Sequence, residues 1–422
     1  MDIRIKEIID TTKNRFGLDN YYLRNYSLHR EVTIHSKTVY TMSMEWFPNH
    51  VTEQEEDGTN PEGTAVIEIG VENQQIISII FVGGQTFAIG NSFVNYNRND
   101  IINWIERETG LTYRNQFQLH KAEEGELQFR ECIEGVDVSP SGFIEFKINE
   151  EGKLTLFSVH GHFPSKDMVK KAEYTLSLDI IESLSRQQLK LIEIPSFEQQ
   201  KLVPVYVLEE IFITNDQMFT IPVEILSDVR EYQQLDQVLL WERSIDTYFD
   251  RKEINWFEEV SVDQVFSREP SPDSMPITKA IQQQVVQAVK KMLQQEYPSD
   301  SGNWKLETIH REHGYIHAIL RTTKEKQRVF RRKLVVMIDP NNFQAVNYMD
   351  NKPMLEMFEN FLGYEKLTVT KEQAYEKLKG FFELKPYYVY DFKLSQYVLC
   401  GRLDCQYGVN ALNGEVIELN DL

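Results

Sequence analysis

Cysteine is scarce in this chain: 3 in 422 residues, at Cys132, Cys400 and Cys405. An odd, small number is no disulfide framework for a polypeptide of this length. Cys400 and Cys405 lie five apart in "VLCGRLDC", so on an extended strand they face opposite sides. Each cysteine reads as a small buried hydrophobe. Long apolar runs are also lacking. None approaches the ~18 residues needed to cross a bilayer, so no membrane span is expected. The opening "MDIRIKEIIDTTKNRFG" is polar and amphipathic, without the basic start, apolar stretch and small-residue cleavage site of a secretory leader. A cytoplasmic location is the expectation. Basic residues are outnumbered, 45 Lys and Arg against 65 Asp and Glu, giving a formal charge of −20. A field of that sign repels phosphate backbones and anionic surfaces, so no nucleic-acid partner is expected.

Catalytic signatures are missing too. "FVGGQTFAIGNS" (Phe81 to Ser92) carries glycines but lacks the Lys-Ser/Thr end of a phosphate loop and a following helix. It reads as a strand bulge or wide turn. No nucleophile elbow or Cys-His signature appears. The pairs Glu123–Glu124 and Glu258–Glu259 have no visible partner to split their pKa values for acid–base work. No catalytic residue and no cofactor are predicted.

What the chain does have is a rhythm. Its hydrophobic fraction is 41%, with 20 Tyr and 24 Phe, a composition that suits aromatic-rich strands. Ile5, Ile8, Ile9 and Phe16 recur at helical spacing, and alternating runs such as "TAVIEIGV" and "QIISIIFV" follow. "NRNDIINWIERETG" restarts the cycle with Asn and Asp at its head and Gly110 as its stop. "ITKAIQQQVVQAVKKMLQQ" sets Val285, Val289, Met292 and Leu293 on one stripe. Thr370 and Gln373 form a capping-box pair before Ala374 and Leu378. The predicted fold class is α+β: tandem units, each a helix packed on an antiparallel β-sheet. Their boundaries are 1–95, 96–172, 173–227, 276–352 and 353–422. Residues 228–275 form an acidic linker or peripheral segment whose scattered aromatics pack on a domain surface.

The closing stretch "YGVNALNGEVIEL" reads as a strand reversal, with Asn413-Gly414 supplying two positive-φ positions of a tight hairpin. Asn410, Ala411, Asn413, Gly414, Glu415 and Val416, with Thr370, Glu372 and Ala374 upstream, resemble the hairpin and helix patterns of PepSY-type domains and the related YcdB/YcdC repeats. "FRECIEGVDVSPSGFIEFKINEEGKLTLFSVHG" is similar to the same family's central stretch at Phe129, Gly135, Gly142, Ile144, Phe146 and Gly152, among others. The resemblance implies PepSY-like units throughout. It implies a non-catalytic interaction module that binds a protein or peptide, a peptidase being one such partner. Family members are often exported, which the opening of this chain does not suggest. The family supplies no catalytic residues to carry over.

The sharpest site-like string is "HREHGYIH", with His310, His313 and His317. It lacks the i, i+4 helical spacing of zinc proteases. It lies between two strand-like runs with "REHG" as a turn, which brings His310 towards His317 and leaves His313 at the tip. These three are the candidate metal ligands, and each would need a neutral ring oriented by a further acceptor. A metal-binding protein or hydrolase built on them is the alternative to the interaction module, and an acidic structural scaffold is the third reading. "HGH" (His160 and His162) offers two imidazoles on one strand face. "KEKQRVFRRK" (Lys324 to Lys333) offers a basic loop for an anionic partner or for the chain's own Glu258 and Glu259.

Overall fold

The computed structural model describes residues 1–51, 59–90, 92–93, 97–223, 231–324, 328–364 and 366–421. These form two compact units. Unit 1 comprises Met1–Lys171, Glu258–Ser271 and Tyr387–Val398, and unit 2 comprises Ala172–Phe257, Pro272–Pro386 and Leu399–Leu422.

In unit 1 the strands Tyr21–Val32, Thr38–Pro48, Ala65–Gly70 and Ile76–Phe81 run as an antiparallel meander. Ile76–Phe81 then pairs with Leu154–His160, and pairing continues through Phe143–Ile148 to Glu126–Ile133. Residues on Ala65–Gly70 alternate between buried and half-buried, the signature of a strand with one face on a core. The helices Ile3–Arg15 and Arg98–Thr109 supply that core. Asp2 caps the first, accepting from the Arg4 amide at 2.9 Å. Asn97 caps the second, which stops at Gly110 with φ 72°. Ile5, Ile8 and Ile9 join Met42, Met44 and Ile67 in one cluster with Trp104, whose indole meets Phe157 edge-on at 4.9 Å. Burial of each such side chain contributes about 1.5–3 kcal/mol.

In unit 2 five antiparallel strands, Tyr232–Val238, Trp304–Glu312, Tyr315–Thr322, Lys333–Ile338 and Ala345–Asp350, form one sheet. The helix Lys279–Glu296 buries Val285, Val289, Met292 and Leu293 against it, the stripe expected from spacing. A four-stranded sheet of Leu189–Ser196, Lys201–Leu208, Tyr407–Asn410 and Val416–Glu418 packs with the helix Lys371–Leu378. That helix has the expected capping box: the Thr370 amide donates to Gln373 Oε1 at 2.9 Å, and the Gln373 amide donates to Thr370 Oγ1 at 3.3 Å.

The expected α+β class of tandem helix-on-sheet units is overturned. Among the described residues strand outweighs helix, with a mixed 14-stranded sheet, a four-stranded sheet and a five-stranded sheet, and few, mainly short helices. The helix expected at the head of the third unit shrinks to Glu182–Gln188, 7 residues. The strands that follow it do not close on themselves. Lys201–Leu208 pairs with Tyr407–Asn410, and Ile211–Thr214 pairs with the Gln396–Asp404 strand. Val136–Ser139 pairs in parallel with Tyr387, Tyr388 and Val389. The physical reason is size. A unit of some 60–80 residues buries too little surface to stand alone, so its strand edges are completed by distant chain.

The C-terminal reversal is a turn, as read, with a different geometry. Val409 pairs with Val416, and only Gly414 is left-handed, at φ 78°. Asn413 instead accepts the Glu415 amide on its side chain at 3.0 Å.

Candidate metal centre

The strand Trp304–Glu312 starts with Trp304 and Leu306 in the core. Strict alternation would then send His310 inward. A register shift between Leu306 and Thr308 breaks the count, so Ile309 takes the core position and His310 turns to the other face. The return strand Tyr315–Thr322 places Ile316 and Ala318 in the core and His317 on the face between them. His310 and His317 are direct cross-strand partners, and Glu312 pairs with Tyr315. The reversal is two residues long, with His313 at φ 49° and Gly314 at φ 77°, the pair of left-handed conformations that suits a tight hairpin.

Period-two geometry therefore gathers His310, Glu312 and His317 on one face. Nε2 of His310 lies 3.3 Å from Glu312 Oε2, and Nδ1 of His317 lies 3.4 Å from the same oxygen. One ligand atom from each of the three falls within 4.8 Å of the others. Ligands at about 2.0–2.1 Å from a tetrahedral zinc stand about 3.3–3.4 Å from one another. Two of the three edges already have that length. The imidazoles are nearly closed off, with side-chain exposures of 7% for His310 and 4% for His317. Trp256 meets His317 edge-on at 6.4 Å and His313 at 5.7 Å. It comes from the stretch read as an acidic peripheral segment, and so do Leu239 and Trp241 of the core. The turn itself is held by Asp273, whose carboxylate accepts the Gly314 amide at 3.1 Å.

His313 stands apart from the compact group. It is exposed at the tip, and its Nε2 lies 3.6 Å from the second oxygen of Glu312. All three histidines named from sequence thus surround one carboxylate that sequence reading passed over. The signal was there, since Glu312 is two residues from His310 and alternation puts both on one face.

The other sequence candidates separate. His160 stacks on Phe143 at 4.8 Å, whereas His162 faces His35 at 5.8 Å, so "HGH" does not converge. Burial pushes the His162 imidazole down to about 4. In the basic stretch, residues 325–327 lie outside the described ones. Arg332 pairs with Asp350 at 2.8 Å, and Arg328 approaches Glu193 at 3.9 Å. Glu258 goes not to that stretch but to Arg30. The Phe81 to Ser92 segment passes through a short 3₁₀ turn, Val82–Gly84, with Gly83 at φ 70°. The three cysteines are free and buried, and burial raises the Cys132 thiol to about 11.

Among the described residues no helix is long and apolar enough to cross a membrane. No protein-family model and no curated protein sequence matches the chain. A solved structure, the Bacillus megaterium YpeB C-terminal domain, aligns over 82% of this chain and 96% of its own at 9% identity, with a TM-score of 0.23. A superposition that loose carries no argument about fold or function.

Proposed function

We propose that this protein binds a divalent transition metal of the zinc class through His310, Glu312 and His317. The observation that carries the reading is the pair of 3.3 and 3.4 Å separations between the two imidazole nitrogens and one carboxylate oxygen, at a site nearly closed to solvent. Two imidazoles and a carboxylate suit zinc-class ions better than calcium or magnesium, which prefer all-oxygen shells. Glu312 is spent as a ligand, and among the described residues no second carboxylate is grouped with these two imidazoles. That favours a binding role over hydrolysis. A bound ion would tie both strands of the hairpin together at their tip.

The test is metal titration of untagged, chelator-treated protein with zinc against a chromophoric competitor. One equivalent should bind, and His310→Ala with His317→Ala should weaken it by at least 100-fold. Absence of a micromolar or tighter site in the unaltered protein refutes the proposal. Affinity should fall as pH drops through the range where imidazole protonates, because the ligand is the neutral ring.

The interaction reading keeps one specific support. Among the described residues the 12-residue strand Tyr21–Val32 ends the strand order and pairs along one side only, with Thr38–Pro48. Such an edge accepts an extended peptide through main-chain hydrogen bonds. A proline placed at an outward-facing amide of this strand should abolish binding of any such peptide while leaving zinc uptake intact. Unchanged peptide binding would remove this reading.

A further inference from the structure

Unit 1 holds a second group of polar side chains, unrelated to the histidine hairpin. Glu131, on the strand Glu126–Ile133, is completely inaccessible to solvent. Its Oε2 accepts the Gly142 amide at 2.8 Å, and the nearby amides of His162 and Phe163 also favour the ionised carboxyl. Oε1 has no hydrogen-bond partner. Beside it stands Tyr397, itself fully buried, with its hydroxyl also unpartnered. Tyr390 packs on Tyr397 at 5.1 Å, and His35 meets Tyr390 at 5.0 Å and His162 at 5.8 Å. The surroundings are built to closeness. A Cβ at Gly142 would sit 2.4 Å from the His160 carbonyl oxygen and 2.6 Å from both Glu131 Oε2 and the Gly161 Cα. Glycine at both positions is what lets the chain press its amides onto the carboxyl.

We propose that Glu131 is a proton-binding site of unit 1, a fully buried carboxyl whose Oε2 is held by the Gly142 amide and whose unpartnered Oε1 carries the acidic hydrogen when the group is neutral. The titratable groups around it offer no countercharge. Cys132 on the same strand is a neutral thiol. His162 and His35 are held below the usual imidazole range by burial, His35 also by Lys37, so both are neutral near pH 7. Tyr397 is pushed up by burial and keeps its proton, as do tyrosines in general near neutrality. Burial raises the Glu131 carboxyl itself to about 7, against the lowering by its three amides. Proton release therefore places one uncompensated negative charge among neutral rings. The loop Gly161 to Phe163 and the turn carrying His35 are the parts that the charge disturbs.

The experiment is a ¹³C-carboxyl titration of the full chain labelled at glutamate, from pH 4.5 to 8.5. The Glu131 signal is assigned as the one missing in Glu131→Gln. Its midpoint should lie at least 1.5 pH units above the body of the other glutamates. In Tyr397→Phe the midpoint should stay high, because the unpartnered hydroxyl makes no hydrogen bond to the carboxyl and the burial persists. A Glu131 signal that titrates with the exposed glutamates, or stays ionised down to pH 5, overturns the proposal. A midpoint that falls among the exposed glutamates in Tyr397→Phe also overturns it, since burial rather than that hydroxyl is held to keep the proton. Should Glu131→Gln fail to fold, a high-pH outlier whose chemical shift changes in Tyr397→Phe supports the assignment, and the lack of any outlier refutes it.

Discussion

Replacing Glu131 by glutamine tests the energetics of the buried carboxyl directly. In the unfolded chain this group titrates near 4.5, and in the fold near 7. Between those values the native state holds a proton that the unfolded state has released. The stabilisation linked to that proton is complete below pH 4.5 and is lost as pH rises through 7. A separation of about 2.5 pK units at about 1.4 kcal/mol each gives a loss of about 3 kcal/mol by pH 8. Glutamine keeps an acceptor for the Gly142 amide and has nothing to ionise. Its second N–H goes unpaired, which costs about 1 kcal/mol at every pH. The variant should therefore be less stable than the parent by about 1 kcal/mol at pH 4.5 and more stable by about 2 kcal/mol at pH 8. Hydrogen exchange in increasing urea, read on peptides spanning Glu126–Ile133 and Phe143–Ile148, reports the opening energy of this region alone. A swing between the two proteins of under about 1 kcal/mol would refute the reasoning, and so would a parent that gains stability in this region towards pH 8.

Removing zinc with a chelator from protein kept in free zinc at 100 times the dissociation constant should lower the stability of unit 2 by about 2.7 kcal/mol, with no change in unit 1; differential exchange of the two units checks this. Glu258→Ala should destabilise unit 1 by about 1 kcal/mol in urea titration. It strips one of two carboxylates from Arg30, whose side chain is 2% exposed, leaving Glu269 at 3.6 Å, and Glu258 itself is 48% exposed so that solvent already screens part of the pair. Gly142→Ala should cost about 3 kcal/mol or yield insoluble protein, since its new Cβ would collide with backbone at 2.4 and 2.6 Å rather than with a movable side chain; a soluble variant of parental melting temperature would contradict that geometry.

Local structure was legible where short-range physics decides it. The helix around Ile5, Ile8 and Ile9, the stripe from Val285 to Leu293 and the Thr370–Gln373 capping box all follow from spacing and caps within one or two turns. The hairpin joining His310 to His317 followed in the same way, because turn residues fix their own neighbourhood. The assembly did not follow. Val205 opposite Asn410, or Val138 opposite Tyr388, pairs residues some 200 positions or more apart. Alternation marks a strand as half-buried but carries no address for its partner. At the candidate site the histidines stood out because imidazole is rare and chemically distinctive. Glu312 was lost among 65 acidic residues, although its position relative to His310 was sufficient to place it. The bulge after Leu306, which decides the face on which His310 lies, has no marker in the sequence. Glu131 was hidden for the opposite reason: a carboxyl on a strand is ordinarily solvated, and only the distant glycines and Tyr397 make this one a core group.

Unit 1 is assembled from three separate stretches of chain, the last of them Tyr387–Val398. During synthesis on the ribosome, its first 171 residues emerge long before that final piece exists. Until then Val136–Ser139 lacks its parallel neighbour, and Glu131 lacks the buried Tyr397 that senses its charge. The N-terminal part of the nascent chain must wait for more than 200 further residues with a raw strand edge open, a period in which chaperones and premature aggregation compete for it. Truncation before residue 387 should leave that edge permanently unfinished, whatever the quality of the sequence upstream.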